Sequence, residues 1–199
     1  VFCFNIDLTT QKHRIKIPIK MGAVPTPLNE YAKSKARGEQ VVRKHDARAL
    51  ILRTNFFAWG PTYRPSFSDW IINELRENRK IGLFGDVRFS PLIARNIVAT
   101  AHRLLDHNLA GIYNVCADNL ISKHDFGLLV AREFGLNEDL ISEIALSDLA
   151  ELVQRPRLMG LVNDKARQAL GQGLGSVEDQ ISELKLTQFS PETMEVQEQ

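Results

Sequence analysis

The chain has 199 residues, 44% of them hydrophobic and 25% charged, with 25 Lys and Arg against 24 Asp and Glu. That balance excludes a disordered polyelectrolyte, a collagen-like repeat and a disulfide-dense mini-domain, and a formal charge of +1 leaves no global field to draw the chain to nucleic acid or an anionic membrane. Two cysteines, Cys3 and Cys116, are too few for a disulfide framework and fit a reducing, cytoplasmic setting, and no run of 18 apolar residues is present to span a membrane.

In chain order, residues 1–9 (VFCFNIDLT) are rich in β-formers and read as a strand. They lack a basic lead-in and a small-residue cleavage site, so they are not a signal peptide; opening inside a strand suggests a sequence whose first portion is missing. Residues 11–21 are basic and suit an edge strand or ordered loop. Pro25 and Pro27 then hold the backbone extended before a helix over 29–45, which Asn29 can cap.

Residues 47–57 contain the clearest buried strand, centred on Ala49–Leu52 and ended by the loop signal at 58–61. An amphipathic helix follows at 67–78, with Trp70, Ile71 and Leu75 on one side. Next come a short strand at 80–84, a Gly-Asp turn, a helix over 92–107 and a strand over 109–116. Ser122 and Asp125 form a loose capping box for a helix that Gly135 closes. Residues 137–153 read as a short loop and then a helix that Ser147 can cap. After the extended link at 154–161, helices are expected at 164–170, closed by Gly171, and at 177–186, before a polar tail that frays.

Alternating helices and strands in the first half, with a mainly helical later part, predict an α/β chain. Two or three strands are missing for a complete doubly wound sheet. No GxGxxG or GxxxxGK[ST] loop occurs anywhere, so any grip on dinucleotide phosphates is not in these residues.

Tyr31 and Lys35 are four apart, so on a helix their head groups can meet. A phenol is a poor acid–base at neutral pH, but a neighbouring ammonium favours its phenolate and brings it into range for exchanging a proton with a carbinol or carbonyl oxygen. Taken alone, the same spacing also describes a solvated helix face with a buried aromatic stem.

In its surroundings the pair resembles the second half of an extended short-chain dehydrogenase/reductase, in the branch of the dTDP-4-dehydrorhamnose reductases. Residues 25–39 (PTPLNEYAKSKARGE) carry the family's tyrosine, lysine and gly–glu, with Ala32 replacing a common glycine. Residues 49–60 (ALILRTNFFAWG), 86–91 (DVRFSP), 111–115, 122–126, 130–135 and 155–161 (RPRLMGL) follow in the family's order, so that the likeness covers about residues 20–186. It implies an α/β fold that is the C-terminal part of an NAD(P)-binding Rossmann-like core, with a smaller, mostly helical substrate lobe. The expected division is 1–85 for the core remainder with the tyrosine–lysine helix, 86–186 for mixed core and substrate lobe, and 187–199 for a flexible tail.

The resemblance assigns Tyr31 and Lys35 to catalysis and to cofactor contact, and brings Asn55 and Phe56 near the nicotinamide of NAD or NADP. The family's catalytic Ser or Thr would fall near Ile6 and Asp7; either Thr9 or Thr10 serves, or the hydroxyl residue lay upstream. Asn96 stands where relatives often have aspartate. Trp59 either lines a substrate pocket or closes the sheet edge, and Arg53 is either a structural ion-pair partner or a functional group at the strand's end. Arg155 and Arg157 flank Pro156 with planar donors that suit a diphosphate, or are solvated, and Arg88 is a further substrate candidate. The five histidines show no metal spacing, and buried thiols are the plain reading of both cysteines.

The leading expectation is NAD(P)-dependent reduction of a nucleotide-linked 4-keto sugar. Alternatives are a non-catalytic dinucleotide-binding or regulatory subunit, an inactive fragment that dimerises or needs a partner subunit, and a sugar-nucleotide epimerase or dehydratase. No nucleic-acid or membrane partner is expected.

Overall fold

The apolar run around Ile51 marks the centre of a parallel sheet in the computed structural model, which describes residues 2–4, 27, 29–149 and 156–188. The first elements are β1 (Phe2–Phe4), α1 (Glu30–His45), β2 (Leu50–Thr54), β3 (Phe56–Phe57), α2 (Phe67–Arg76), β4 (Ile81–Phe84), β5 (Arg88–Phe89) and β6 (Leu92–Ile93). There follow α3 (Ala94–Asp106), β7 (Gly111–Asn114), β8 (Ile121–Ser122), α4 (Lys123–Phe134), β9 (Ile141–Ile144), α5 (Asp164–Leu170) and α6 (Val177–Leu186).

β2 lies between β1 and β7, parallel to both, with Cys3, Arg53 and Asn114 side by side. Its residues Ile51–Thr54 are all buried, as both-face coverage of a parallel sheet demands. Side chains alternate along a strand, so Arg53, which bonds to α1, turns Ile51 to that face also, while Leu52 faces the large apolar cluster on the other. With α1 on one face and α3 and α5 on the other, this is a Rossmann-like α/β core with flanking helices.

Capping follows the sequence at several ends. Asn29 Oδ1 accepts from Ala32 N at 2.9 Å, and Ser122 Oγ accepts from Asp125 N at 2.9 Å. Gly135 and Gly171 close α4 and α5 in the left-handed region, at φ 67° and 68°. Ser66 and Ser176 form further capping boxes, with Asp69 and Asp179.

The expected strand over 47–57 is in fact two. At Asn55 the chain leaves the three-stranded sheet: its carbonyl accepts from Leu92 N at 3.0 Å, and β3 pairs with β6 instead. The later part is mainly helical as expected, through α3, α4, α5 and α6, but it also holds short strands beyond those expected. The segment expected to be a loop at the start of 137–153 contains β9, parallel to β4, and β5 pairs antiparallel with β8. Ser147 lies inside a 3-10 turn at Leu146–Asp148, where the Asp148 carboxylate accepts from Ala145 N at 2.9 Å, and residues 150–153 of the helix expected after it lie outside the described residues. Each of these short strands is fixed by a partner about 60 or 30 residues away, which local periodicity does not reveal.

Phe126, fully buried, sits edge-on to Phe57 (5.2 Å) and Phe89 (5.4 Å) and stacks on Phe67 (5.6 Å), joining α4, α2 and the short strands. Its neighbour Gly127 abuts Leu83 of β4 so closely that a Cβ there would overlap Leu83 Cδ1. The expected basic segment at 11–21, the hydroxyl candidates Thr9 and Thr10, and the tail beyond Gln188 lie outside the described residues.

Candidate functional site at the carboxyl edge of the sheet

α1 ends four residues before β2 begins, so the helix runs back against the strand and its first turn lies at the carboxyl end of the sheet. In open α/β sheets that edge is where ligands bind. Glu39, in the third turn, reaches Arg53 near the end of β2 with two bonds, Nε to Oε2 at 2.9 Å and a terminal nitrogen to Oε1 at 2.8 Å. Tyr31 lies eight residues before Glu39, which at 1.5 Å per residue puts it about 12 Å further along the axis, overhanging the sheet.

Tyr31 is 52% exposed, and the Lys35 ammonium sits 5.2 Å from its ring centroid. The two thus meet on one helix face, flanking the buried stripe formed by Ala32, Ala36 and Glu39. Asn55 is buried just past β2, its Oδ1 accepting from Ser90 N at 3.4 Å, while Phe56 is 50% exposed beside it.

A second cluster lies across the Asn55–Ser90 connection. Residues 157–159 run beside β5, Arg88 N donating to Arg157 O and Met159 N to Arg88 O, both at 2.8 Å. This pairs Arg88 with Leu158 and leaves Arg157 one position along, on the alternate face of the extended segment. The exposed Arg157 guanidinium is 3.5 Å from the Asp86 carboxylate, which partly offsets its charge. Lys123, not singled out from the sequence, holds its ammonium 4.8 Å above the Phe67 ring and 6.0 Å from that of Phe89. The only sequence clue to it was its place directly after the Ser122 cap.

Trp59 is partly buried and packs across the fold. Its indole donates to Leu184 O at 3.0 Å and meets Phe134 edge-on at 5.9 Å, tying the loop after β3 to α4 and α6. Asn96 likewise bridges elements, donating to Gln180 at 2.9 Å and Glu183 at 2.6 Å on α6. Arg53 is an ion-pair partner, the first of its two expected readings, and Arg155 lies outside the described residues.

The Cys116 thiol is buried and donates to Leu161 O at 3.4 Å; desolvation pushes it up to about 12, so it is no nucleophile at neutral pH. The side chain of Cys3 falls outside the described residues. Among the described residues no group of three or more His, Cys, Asp or Glu is placed to hold a metal ion, and no helix is long and apolar enough to cross a membrane.

The donor set at the sheet edge suits the ribose of a nicotinamide dinucleotide, since a phenol and an ammonium can both bond its hydroxyls. Comparison with known proteins bears on the same region. The family model described as the RmlD substrate binding domain matches residues 14–187. The probable low-salt glycan biosynthesis reductase Agl14 of Haloferax volcanii is 31% identical over 167 residues, covering 82% of this chain and 56% of that protein. The dTDP-4-dehydrorhamnose reductase of Aggregatibacter actinomycetemcomitans is 26% identical over 156 residues, 73% of this chain and 52% of that protein. The chain thus spans about half the length of these curated relatives. In fold it matches the crystal structure of dTDP-4-dehydrorhamnose reductase from Bacillus anthracis in complex with NADP, with a TM-score of 0.81 and 19% identity over 93% of this chain and 64% of that one.

Proposed function

The chain belongs to the RmlD substrate-binding domain family, the dTDP-4-dehydrorhamnose-reductase-like branch of the extended short-chain dehydrogenases/reductases, and from that premise we propose that it carries the proton-transfer and substrate-holding residues for NAD(P)-dependent reduction of a nucleotide-linked 4-keto sugar. The observation that carries this reading is the Tyr31–Lys35 pair, ring and ammonium in contact and half open to solvent at the carboxyl edge of the sheet.

In this reading Tyr31 Oη gives its proton to the keto oxygen as that oxygen gains charge, and the adjacent Lys35 ammonium stabilises the phenolate left behind. Lys35 and Tyr31 also hold ribose hydroxyls, and Phe56 and Asn55 shape the nicotinamide end. When bound, NADH or NADPH supplies the hydride to the keto carbon. Arg88 and Arg157 present planar donors to the diphosphate of the sugar nucleotide, and Arg155 is assigned with them. Trp59 holds the loop after β3 through its bond to Leu184 and is assigned to the substrate side with its remaining exposed surface. The chain is the C-terminal part of the reductase fold in this proposal; it has no glycine-rich loop, so the dinucleotide's own phosphates are assigned to none of its residues.

The test is reduction of a dTDP-4-keto-6-deoxy sugar, followed by NADPH absorbance, with the full natural protein and its Tyr31→Phe variant. The variant is expected to lose about 10²–10⁴-fold in kcat while its NADPH affinity stays within about threefold. If the wild type binds NADPH and reduces no keto sugar, the regulatory-subunit reading replaces this one.

A further inference from the structure

Glu39 and Arg53 form a bidentate ion pair whose side chains are each only 5% exposed. Such a pair is weak evidence of a stabilising role, because apolar residues of similar volume usually serve stability as well or better. It does impose geometry, since two parallel bonds between a planar fork and a carboxylate fix both distance and orientation.

Of the three buried side chains on α1, Ala32 and Ala36 have no group beyond Cβ, which leaves Glu39 as the directional one. Arg53 is correspondingly rigid. It lies in the central strand, in register with Cys3 on one side and Asn114 on the other, and its carbonyl accepts from Val115 N at 2.8 Å. The pair therefore joins the helix carrying Tyr31 and Lys35 to the strand that leads, two residues on, to Asn55.

Building on the proposed function, we infer that Glu39 and Arg53 are positioning residues, which set the roll and tilt of α1 so that Tyr31 and Lys35 are held in fixed relation to Asn55 and Phe56. The lever is long. Tyr31 is about 12 Å beyond Glu39 along the axis, so a tilt of about 5° about the pair moves the tyrosine by about 1 Å. A roll of one residue, about 100°, carries the tyrosine–lysine face into the sheet. A misplacement of about 1 Å can cost about a hundredfold in rate.

The test uses the full natural protein with Glu39→Met and Arg53→Met combined, which removes the directional bonds and leaves no buried charge. Expected are a retained cooperative melt, hydrogen exchange at least about tenfold faster in residues 33–38 of the unliganded protein with β2 still protected, and kcat about 10–100-fold lower at a sugar KM within about threefold. If exchange across α1 and kcat both match the wild type, the pair is structural filling and the inference is overturned. Should the double variant not fold, Glu39→Gln is measured for the same exchange: faster exchange in residues 33–38 supports the positioning role, and wild-type exchange there overturns it. The exchange readout needs no turnover, so it judges this inference even where the wild type reduces no keto sugar.

Discussion

Replacing Trp59 by Phe separates its two readings, sheet-edge packing against pocket lining. The change removes one hydrogen bond, indole to Leu184 O at 3.0 Å, while keeping an aromatic ring against Phe134. Leu184 O is not orphaned by the loss: it still accepts from Thr187 N at 3.2 Å and Thr187 Oγ1 at 2.9 Å. The penalty is therefore the net value of one bond plus a small gap, about 0.5–1.5 kcal/mol, without the greater cost of a stranded buried acceptor. For a chain of this size that is a fall of about 1–6 °C in Tm. Trp59→Ala also removes the edge contact and should cost about 2–3 kcal/mol, below the usual figure for a core aromatic because the ring is only partly buried. Urea unfolding monitored by circular dichroism gives both values, and the sugar-nucleotide KM is measured in parallel. Unchanged stability with a KM raised tenfold in Trp59→Phe would refute the packing role.

Phe126→Leu should destabilise by about 1–3 kcal/mol, since it breaks three ring contacts at once, and the midpoint of urea unfolding checks this. Cys116 keeps its proton in the fold up to about 12 against an ordinary 9.0, so between those values the unfolded chain binds fewer protons and stability falls as pH rises, by up to about 4 kcal/mol. Cys116→Ala should flatten that alkaline decline in melts across the same range. Ser122→Ala should cost about 1 kcal/mol of α4 stability at neutral pH. The Ser122 hydroxyl also holds the Asp125 carboxyl below the usual carboxylate range, so the benefit of that contact is present above the ordinary value and fades as pH falls through the lowered one; the gap between wild type and variant should narrow in acid melts. Arg157→Ala should raise the sugar-nucleotide KM about tenfold with kcat within about twofold, a split that steady-state kinetics reads directly.

What was legible in the sequence was what local chemistry dictates. Asn29, Ser122, Gly135 and Gly171 sit at the helix ends their side chains or backbones favour, and the run through Ile51 lies at the centre of the sheet. The tyrosine–lysine contact follows from helical spacing alone. What was hidden depends on distant partners. The break at Asn55 exists because Leu92 and Ser90 take its carbonyl and side chain, and β9 exists because β4 lies beside it. Trp59 looked equally suited to a pocket or a packing role, and its acceptor is 125 residues away. Lys123 carried no periodic signature, because the aromatic rings beneath it come from α2 and β5.

The contact between Gly127 and Leu83 also has a meaning for how this sequence can vary. No side chain fits at 127 while the leucine at 83 keeps its present rotamer, so the two positions do not drift independently. Alanine at 127 is admissible with the Leu83 side chain turned aside, with a shorter residue such as valine or alanine at 83, or with α4 lifted from β4. A lift would be transmitted to Phe126, the adjacent residue, whose ring is fully buried among other rings. Among homologous chains the pair should therefore change in concert, tracing a line of descent along which the spacing between α4 and β4 was preserved while its occupants were exchanged.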